Sequence, residues 1–473
     1  MSSSGRGRLA LFGAIAAVAL AGCGDALCED PVSVPVPTGT DIVAQLQALP
    51  NVVSVTEQTS RYTSHRLFII EFDQPVDYCA PKERRFTQTA TLLFNGDHAA
   101  PMVFRTAGYG ISRNPYVTEP VALLPSANQL TLEHRFFGPS TPNPVDWKAL
   151  TVEQAAGDHH RVIQSLKRIF PGKWITTGAS KDGMTAVFHR YFYPDDVDGT
   201  VAYVAPLMFS RADERFPPFV DSLGDPSCRD ALKTYQRTLL QRRSEIEPEF
   251  ASYAAANFTS LDIFGVSKTL DYSTLESRFG FWMFGSASMC ASIPPPAAPP
   301  ADLFQFLVDI GAAQSMTDAN LTSDQAYYYQ SATQLGSTLD SQDHLLDLTG
   351  GVPIDDLIEL YPPYGVAKDY DPSLMEKVDA WMKDSASRVL LVYGSADPWS
   401  AAAMTVSATN ESYRFFVQGG NHYSRIQPLD PASRQAAYDA MAKWAGEAGM
   451  VVNARGAPAM PSREAQREEL LGR

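Results

Sequence analysis

Cysteine is scarce, with five in 473 residues. None falls into a Cys-x-x-Cys pair or a Cys/His cluster, so the usual nitrogen and sulfur ligand patterns for a metal are missing. No metal or cofactor is expected. Positive charge is also short: 38 Lys and Arg stand against 53 Asp and Glu, for a net charge of −15. That balance argues against nucleic acid and against anionic membrane surfaces as partners. It leaves neutral and cationic substrates open. An apolar run at 9–22 is too short to span a bilayer, and no internal repeat is visible. What remains is a globular composition, 45% hydrophobic and 19% charged. The length suits one large α/β domain with an insertion, or two domains.

The N-terminus reads as a targeting segment. Arg6 and Arg8 precede the apolar run, which ends in Leu20-Ala21-Gly22-Cys23. A charged start followed by a short apolar core is the pattern of a signal peptide. The ending resembles the bacterial lipobox, in which the cysteine is lipidated after cleavage; an ordinary secretory signal is the alternative. Either way the protein is exported, and a lipid on Cys23 would tether it to a membrane without spanning it. Four cysteines then remain. They allow three pairings, and the nearest-in-sequence one, Cys28 with Cys79 and Cys228 with Cys290, is expected in an oxidising compartment.

The centre of the chain carries the chemistry. Trp174-Ile175-Thr176-Thr177-Gly178-Ala179-Ser180-Lys181-Asp182-Gly183-Met184 reads as an apolar strand, a sharp turn and a helix. A serine on such a turn stands out of the sheet with its hydroxyl free to react. It needs a base, the base needs an orienting carboxylate, and the oxyanion needs donors. Tyr393-Gly394-Ser395-Ala396-Asp397 places Asp397 just past a strand, and Gln418-Gly419-Gly420-Asn421-His422 places His422 just past the next. The order Ser, Asp, His is that of α/β-hydrolases. Taken singly, each signal is weak, since the chain has eight histidines. Their joint occurrence at successive strand ends is not. The elbow pattern Gly-x-Ser-x-Gly is imperfect, because Asp182 stands where the second glycine belongs and the glycine comes one later. That carboxylate is expected to face solvent or the helix N-terminus. For the oxyanion, the expected donors are the backbone N–H groups of Lys181 and of Tyr109, in the Ala107-Gly108-Tyr109-Gly110 loop.

Strands are expected at 52–55, 66–72, 86–94, 102–106, 129–137, 200–205, 388–393 and 413–417, with helices at 147–170 and 431–447. From 211 to 371 the pattern is helical and aromatic. The expected fold class is therefore α/β, with a mainly parallel sheet and an inserted, mostly helical cap. The expected divisions are a lipoprotein signal peptide (1–22), a leader (23–45), the first part of the core (46–210), the cap (211–372), the second part of the core (373–453) and a flexible tail (454–473).

Longer stretches carry a family resemblance. Glu133-His134-Arg135-Phe136-Phe137-Gly138-Pro139-Ser140, Asp158-His159-His160-Arg161, Gly178 to Thr185, and Phe192 to Pro206 resemble the secreted bacterial tripeptidyl/prolyl aminopeptidase family of serine peptidases. More distantly they are similar to the prolyl carboxypeptidase and dipeptidyl-peptidase group. The family usually has Gly-Gly-Ser-Lys-Gly-Gly at the elbow, so Ala179 and Asp182 depart from it, as do Leu207-Met208 in place of Asn-Asp. The resemblance implies an α/β-hydrolase that releases short peptides or prolyl-containing residues from free N-termini. Ser180 would be its nucleophile, His422 its base and Asp397 the orienting acid. Such an enzyme must hold an ammonium, and Glu133 is one candidate; its alternative is a structural partnership with Arg135. Tyr328 and Trp282, with neighbouring aromatics, are candidates for a substrate pocket. An esterase or other hydrolase on the same scaffold and a non-enzymatic binding protein are the competing readings.

Overall fold

In the computed structural model, the structure describes Cys28, Gly39, residues 41–124 and residues 126–447. The expected signal peptide, the lipidated Cys23 and the 454–473 tail lie outside the described residues. One nine-stranded sheet organises them: β1 (Val52–Gln58), β2 (Arg66–Pro75), β3 (Arg85–Phe94), β4 (Met102–Thr106), β5 (Asn128–Leu132), β6 (Trp174–Ala179), β7 (Gly199–Tyr203), β8 (Val389–Gly394) and β9 (Tyr413–Val417), in the order β1-β2-β3-β5-β4-β6-β7-β8-β9. The β1–β2, β2–β3 and β3–β5 pairs are antiparallel. From β5 across to β9 every pair is parallel.

The burial of each strand follows its place. β4 to β8 are buried at nearly every position, as parallel strands covered on both faces must be. β1 alternates and is exposed towards its end, as an edge strand should be. One layer packs on each face. The helix Val152–Leu166 starts at Thr151, whose side chain accepts from the Gln154 N–H at 3.2 Å. It lays Val162, Ile163 and Leu166 against Phe68, Phe104 and Leu130. The closing helix Pro431–Trp444 packs Ala437, Met441 and Trp444 against Ile175, Val201 and Leu390. This mainly parallel sheet, covered on both faces and with a sharp strand–turn–helix at Ser180 after β6, is the α/β-hydrolase fold.

Two expected elements are shorter than their sequence pattern. The 129–137 strand ends at Leu132, because Phe136 turns back with φ 70° and its N–H bonds to the Ser140 carbonyl. The 147–170 helix is split. Trp147–Ala149 forms one tight turn, and the α-helix proper begins only after the Thr151 cap.

Between β7 and β8 the chain leaves the sheet and builds helices, notably Pro226–Gln241, Arg243–Ala256, Val266–Phe284 and Pro300–Asp309. They have their own core of Leu239, Phe250, Phe281, Trp282 and Leu307. The two disulfides are Cys28–Cys79 and Cys228–Cys290. They are the nearest-in-sequence pairs and suit an oxidising compartment. Among the described residues no helix is long and apolar enough to cross a membrane.

Candidate active site

Ser180 sits between β6 and the elbow helix Lys181–Phe192, with φ 56° and ψ −127°. A non-glycine residue seldom holds a positive φ, and here the turn is pinned by the Ser180 N–H donating to the Tyr203 carbonyl at 2.9 Å. The surrounding glycines are steric necessities. A Cβ at Gly178 would lie 2.3 Å from the Asp182 carbonyl carbon, and one at Gly183 would lie 2.9 Å from Ala205 Cβ and 3.1 Å from the Tyr203 carbonyl. The elbow helix thus crosses β7 at residue 183. This is why the glycine falls one place later than the common pattern.

Asp397 follows β8 and His422 follows β9. His422 Nδ1–H donates to Asp397 Oδ2 at 2.7 Å, and both side chains are fully buried. In the neutral tautomer that this bond favours, Nε2 is the acceptor nitrogen. Asp397 is oriented in turn by the Trp399 N–H at 3.2 Å. The two loops touch through the Ala396 N–H and the Gly420 carbonyl, and a Cβ at Gly394 would strike that carbonyl at 2.4 Å. The cap reaches the same loop, since the His422 N–H donates to the Met283 carbonyl at 3.1 Å. His422 Nε2 is buried and has no hydrogen-bond partner among the described residues, so the Ser180 hydroxyl does not bond to it in this unliganded geometry. Such catalytic bonds often tighten only with substrate bound.

Ser180 opens into a cavity of about 400 Å³ between the sheet edge and the cap. Tyr109, Lys181 and Trp399 line it from the core, and Glu276, Tyr328 and Tyr361 are among its cap residues. The N–H groups of Tyr109 and Lys181 donate to no acceptor among the described residues, which suits them to receive an oxyanion. Lys181 is the sole cation among the described lining residues, whereas Glu276, Asp324 and Asp356 are acids. Burial pushes the Lys181 ammonium down to about 7. Burial, with the Asp356 charge adding to it, pushes Glu276 up to about 7, and burial pushes Asp356 up to about 6. Asp340 is raised in the same way, by burial and by Glu276 and Asp356. No group of His, Cys, Asp and Glu side chains among the described residues could hold a metal.

Two expected site residues lie elsewhere. Glu133 does not line the cavity. Its carboxylate accepts from Ser140 Oγ at 2.5 Å and from the Ile111 N–H at 3.3 Å. Nor is it the partner of Arg135, which pairs in two-pronged fashion with Asp158 at 2.7 Å and 2.7 Å. Trp282 is 2% exposed and packs in the cap core beside Gly224, because on its helix it faces away from the cavity stripe. Tyr328 does line the cavity. Asp182 is the third departure. It lies in the first turn of the elbow helix, as expected, but instead of facing solvent it is buried in an ion pair with Arg105.

Sequence reasoning missed Glu276. The signal was present on the helix Val266–Phe284. Glu276, Phe279, Gly280, Met283 and Phe284 recur at helical spacing, and all line the cavity. A carboxylate inside such a stripe marks a polar task on an apolar face.

The chain resembles known proteins over most of its length. The model of the family described as PS-10 peptidase S37 matches residues 35–467. A prolyl tri/tetrapeptidyl aminopeptidase from Streptomyces mobaraensis is 36% identical over 436 residues, covering 91% of this chain and 90% of its own length. A lysosomal Pro-X carboxypeptidase from Pongo abelii is 24% identical over 355 residues, covering 64% and 70%. Among solved structures, a proline iminopeptidase from Mycobacterium smegmatis aligns over 82% of this chain and 99% of its own, at 14% identity and a TM-score of 0.35.

Proposed function

The chain belongs to the peptidase S37 family of serine peptidases, and on that premise we propose that it is an exopeptidase releasing short, proline-containing peptides from free N-termini. Ser180 attacks the scissile carbonyl, His422 Nε2 takes the hydroxyl proton and returns it to the leaving amine, and Asp397 holds the imidazole tautomer. The Tyr109 and Lys181 N–H groups receive the oxyanion. The acyl-enzyme that results is then opened by water.

The observation that carries the N-terminal part is the charge of the cavity. The Glu276 carboxylate has no hydrogen bond or ion pair among the described residues, and it is placed with Asp356 and Asp340 in one acidic region of the cap, where the cation that acts on Asp340, Arg278, is already paired with Asp221. Clustered carboxylates in a closed space are costly unless a cation joins them, and a peptide's terminal ammonium is such a cation. Tyr328 and Tyr361, at 4.9 Å between ring centroids, add faces that favour both proline and an ammonium. The name of the Streptomyces relative supports a prolyl preference and a product of three or four residues.

On the same reading the core comprises 46–210 and 373–453 and the cap 211–372, with 448–453 lying outside the described residues. The protein is exported, a reading supported by the two disulfides, and held at a membrane by a lipid on Cys23, a reading supported by the Leu20-Ala21-Gly22-Cys23 stretch.

Chromogenic peptides with free and N-acetylated ends test this reading. Free ends should be cleaved, acetylated ones should survive, and Ser180→Ala should cleave neither. Equal cleavage of the acetylated forms would remove the exopeptidase assignment.

A further inference from the structure

The loop carrying the Tyr109 N–H is held from every side by side chains of the elbow and by one neighbouring strand end. The Gly108 N–H donates to Asp182 Oδ1 at 2.6 Å. The Gly108 carbonyl accepts from Lys181 Nζ. The Tyr109 carbonyl accepts from the His134 N–H at 3.0 Å. Of the four backbone polar groups of Gly108 and Tyr109, the Tyr109 N–H alone has no acceptor among the described residues. A peptide bond is planar and trans, so fixing the Gly108 carbonyl fixes the opposite direction of the Tyr109 N–H.

We propose that Asp182 and Lys181 are positioning residues for the reaction: together with Arg105 they clamp the Gly108 peptide to the elbow and so aim the Tyr109 N–H at the oxyanion. Arg105 is what makes Asp182 tolerable. Its Nε donates to Asp182 Oδ2 at 2.8 Å and its Nη2 at 2.7 Å, with both side chains almost wholly buried. One carboxylate oxygen is therefore neutralised on β4 and the other is left to hold Gly108. A glycine at 182, as the resemblance pattern has, would free the Gly108 N–H and take the Asp182 carboxylate away from Arg105. Contact is close enough to admit no side chain, because a Cβ at Gly108 would lie 2.7 Å from Lys181 Cγ and 2.9 Å from the Lys181 carbonyl carbon. The Lys181 ammonium also lies 5.0 Å from the Tyr109 ring centroid and 4.9 Å from that of Phe137. The clamp thus grips the side chain of Tyr109 as well as its backbone.

This inference rests on the reading of Ser180 as nucleophile. The full chain is compared with Asp182→Ala, Asp182→Asn and Lys181→Met for kcat, KM, melting temperature and affinity for a short peptide ending in a boronic acid, which forms a tetrahedral adduct on serine. A misaimed donor costs transition-state stabilisation but not ground-state binding. Asp182→Ala should lower kcat about 100-fold, leave KM within about twofold, and weaken the boronate by the same factor as kcat. Asp182→Asn, which keeps an acceptor for Gly108, should recover part of the loss. Lys181→Met should lower kcat about tenfold with the same signature. A folded Asp182→Ala with kcat near wild type, or with reduced kcat and unchanged boronate affinity, overturns the clamp. If Asp182→Ala does not fold, Lys181→Met decides by the same two readouts. Activity surviving in Ser180→Ala would sink the underlying reading, whereas an inactive Ser180→Ala beside a normal Asp182→Ala sinks only the clamp.

Discussion

Asp182, on the elbow helix behind the cavity's Ser180 and Lys181, and Glu276, which lines the cavity from a helix of the cap, are carboxylates treated in opposite ways. Asp182 has Arg105 on one oxygen and the Gly108 N–H on the other. Glu276 has neither hydrogen bond nor ion pair among the described residues, and its nearest charged influence is another acid, Asp356. A buried charge with all its partners supports geometry, whereas one without them is poised for a ligand. On the proposed reading, the core side of the cavity holds the reacting atoms still and the cap side receives a cation that arrives with the substrate.

Substitutions can break that comparison, and the largest effect is expected on the core side. Ser180→Ala should lower kcat by on the order of 10⁶-fold and Asp397→Asn by about 10⁴-fold, both read as steady-state hydrolysis of a free-N-terminal peptide with unchanged melting temperature. Failure of Asp397→Asn to reduce kcat would detach Asp397 from His422 in function. Next, Glu276→Gln should raise KM for free-N-terminal peptides about 10- to 100-fold, the range of a lost charged hydrogen bond, with kcat much less affected. Glu133→Gln, by contrast, should leave KM unchanged, because that carboxylate is already used by Ser140 and Ile111.

The acidity of the cap groups gives the third test. Glu276 sits at about 7 and Asp356 at about 6, so both carry charge only above those values. As pH falls through 7 to 6 they take protons and the substrate ammonium loses its partners. KM should therefore rise as pH is lowered across that interval, and Glu276→Gln should flatten the rise. A KM profile of identical shape in wild type and variant would contradict the assignment.

The smallest effects are on stability. The Glu276 carboxyl binds its proton more tightly in the folded state than in the unfolded chain, where it titrates near 4.3. Stability is then lost as pH rises from about 4 to 7. Glu276→Gln should raise the melting temperature by a few degrees at pH 8 and leave it unchanged at pH 4, as calorimetry at the two pH values would show.

What was legible in the sequence follows the same division. The core motifs could be read because strand ends and glycine turns impose local patterns. Gly178 and Gly394 sit where backbones nearly touch, and Asp397 and His422 follow shortly after strands. The fate of Asp182 could not be read, since its partner Arg105 lies on another strand, far away in the chain. The same holds for Glu133, whose Ser140 partner is reached only because the backbone turns at Phe136. On the cap, Trp282 and Glu276 belong to one helix, and choosing between them required knowing which stripe faces the serine. Aromatic residues look alike in sequence whether they pack a core or line a cavity.

The most direct test of the central claim is the ratio of kcat/KM for one peptide with a free N-terminus to that for its acetylated form, measured in wild type and in Glu276→Gln. A large ratio in the wild type that collapses at least tenfold in the variant is the expected result. A ratio that stays the same in both would show that the cap carboxylates do not read the N-terminus, and would contradict the account.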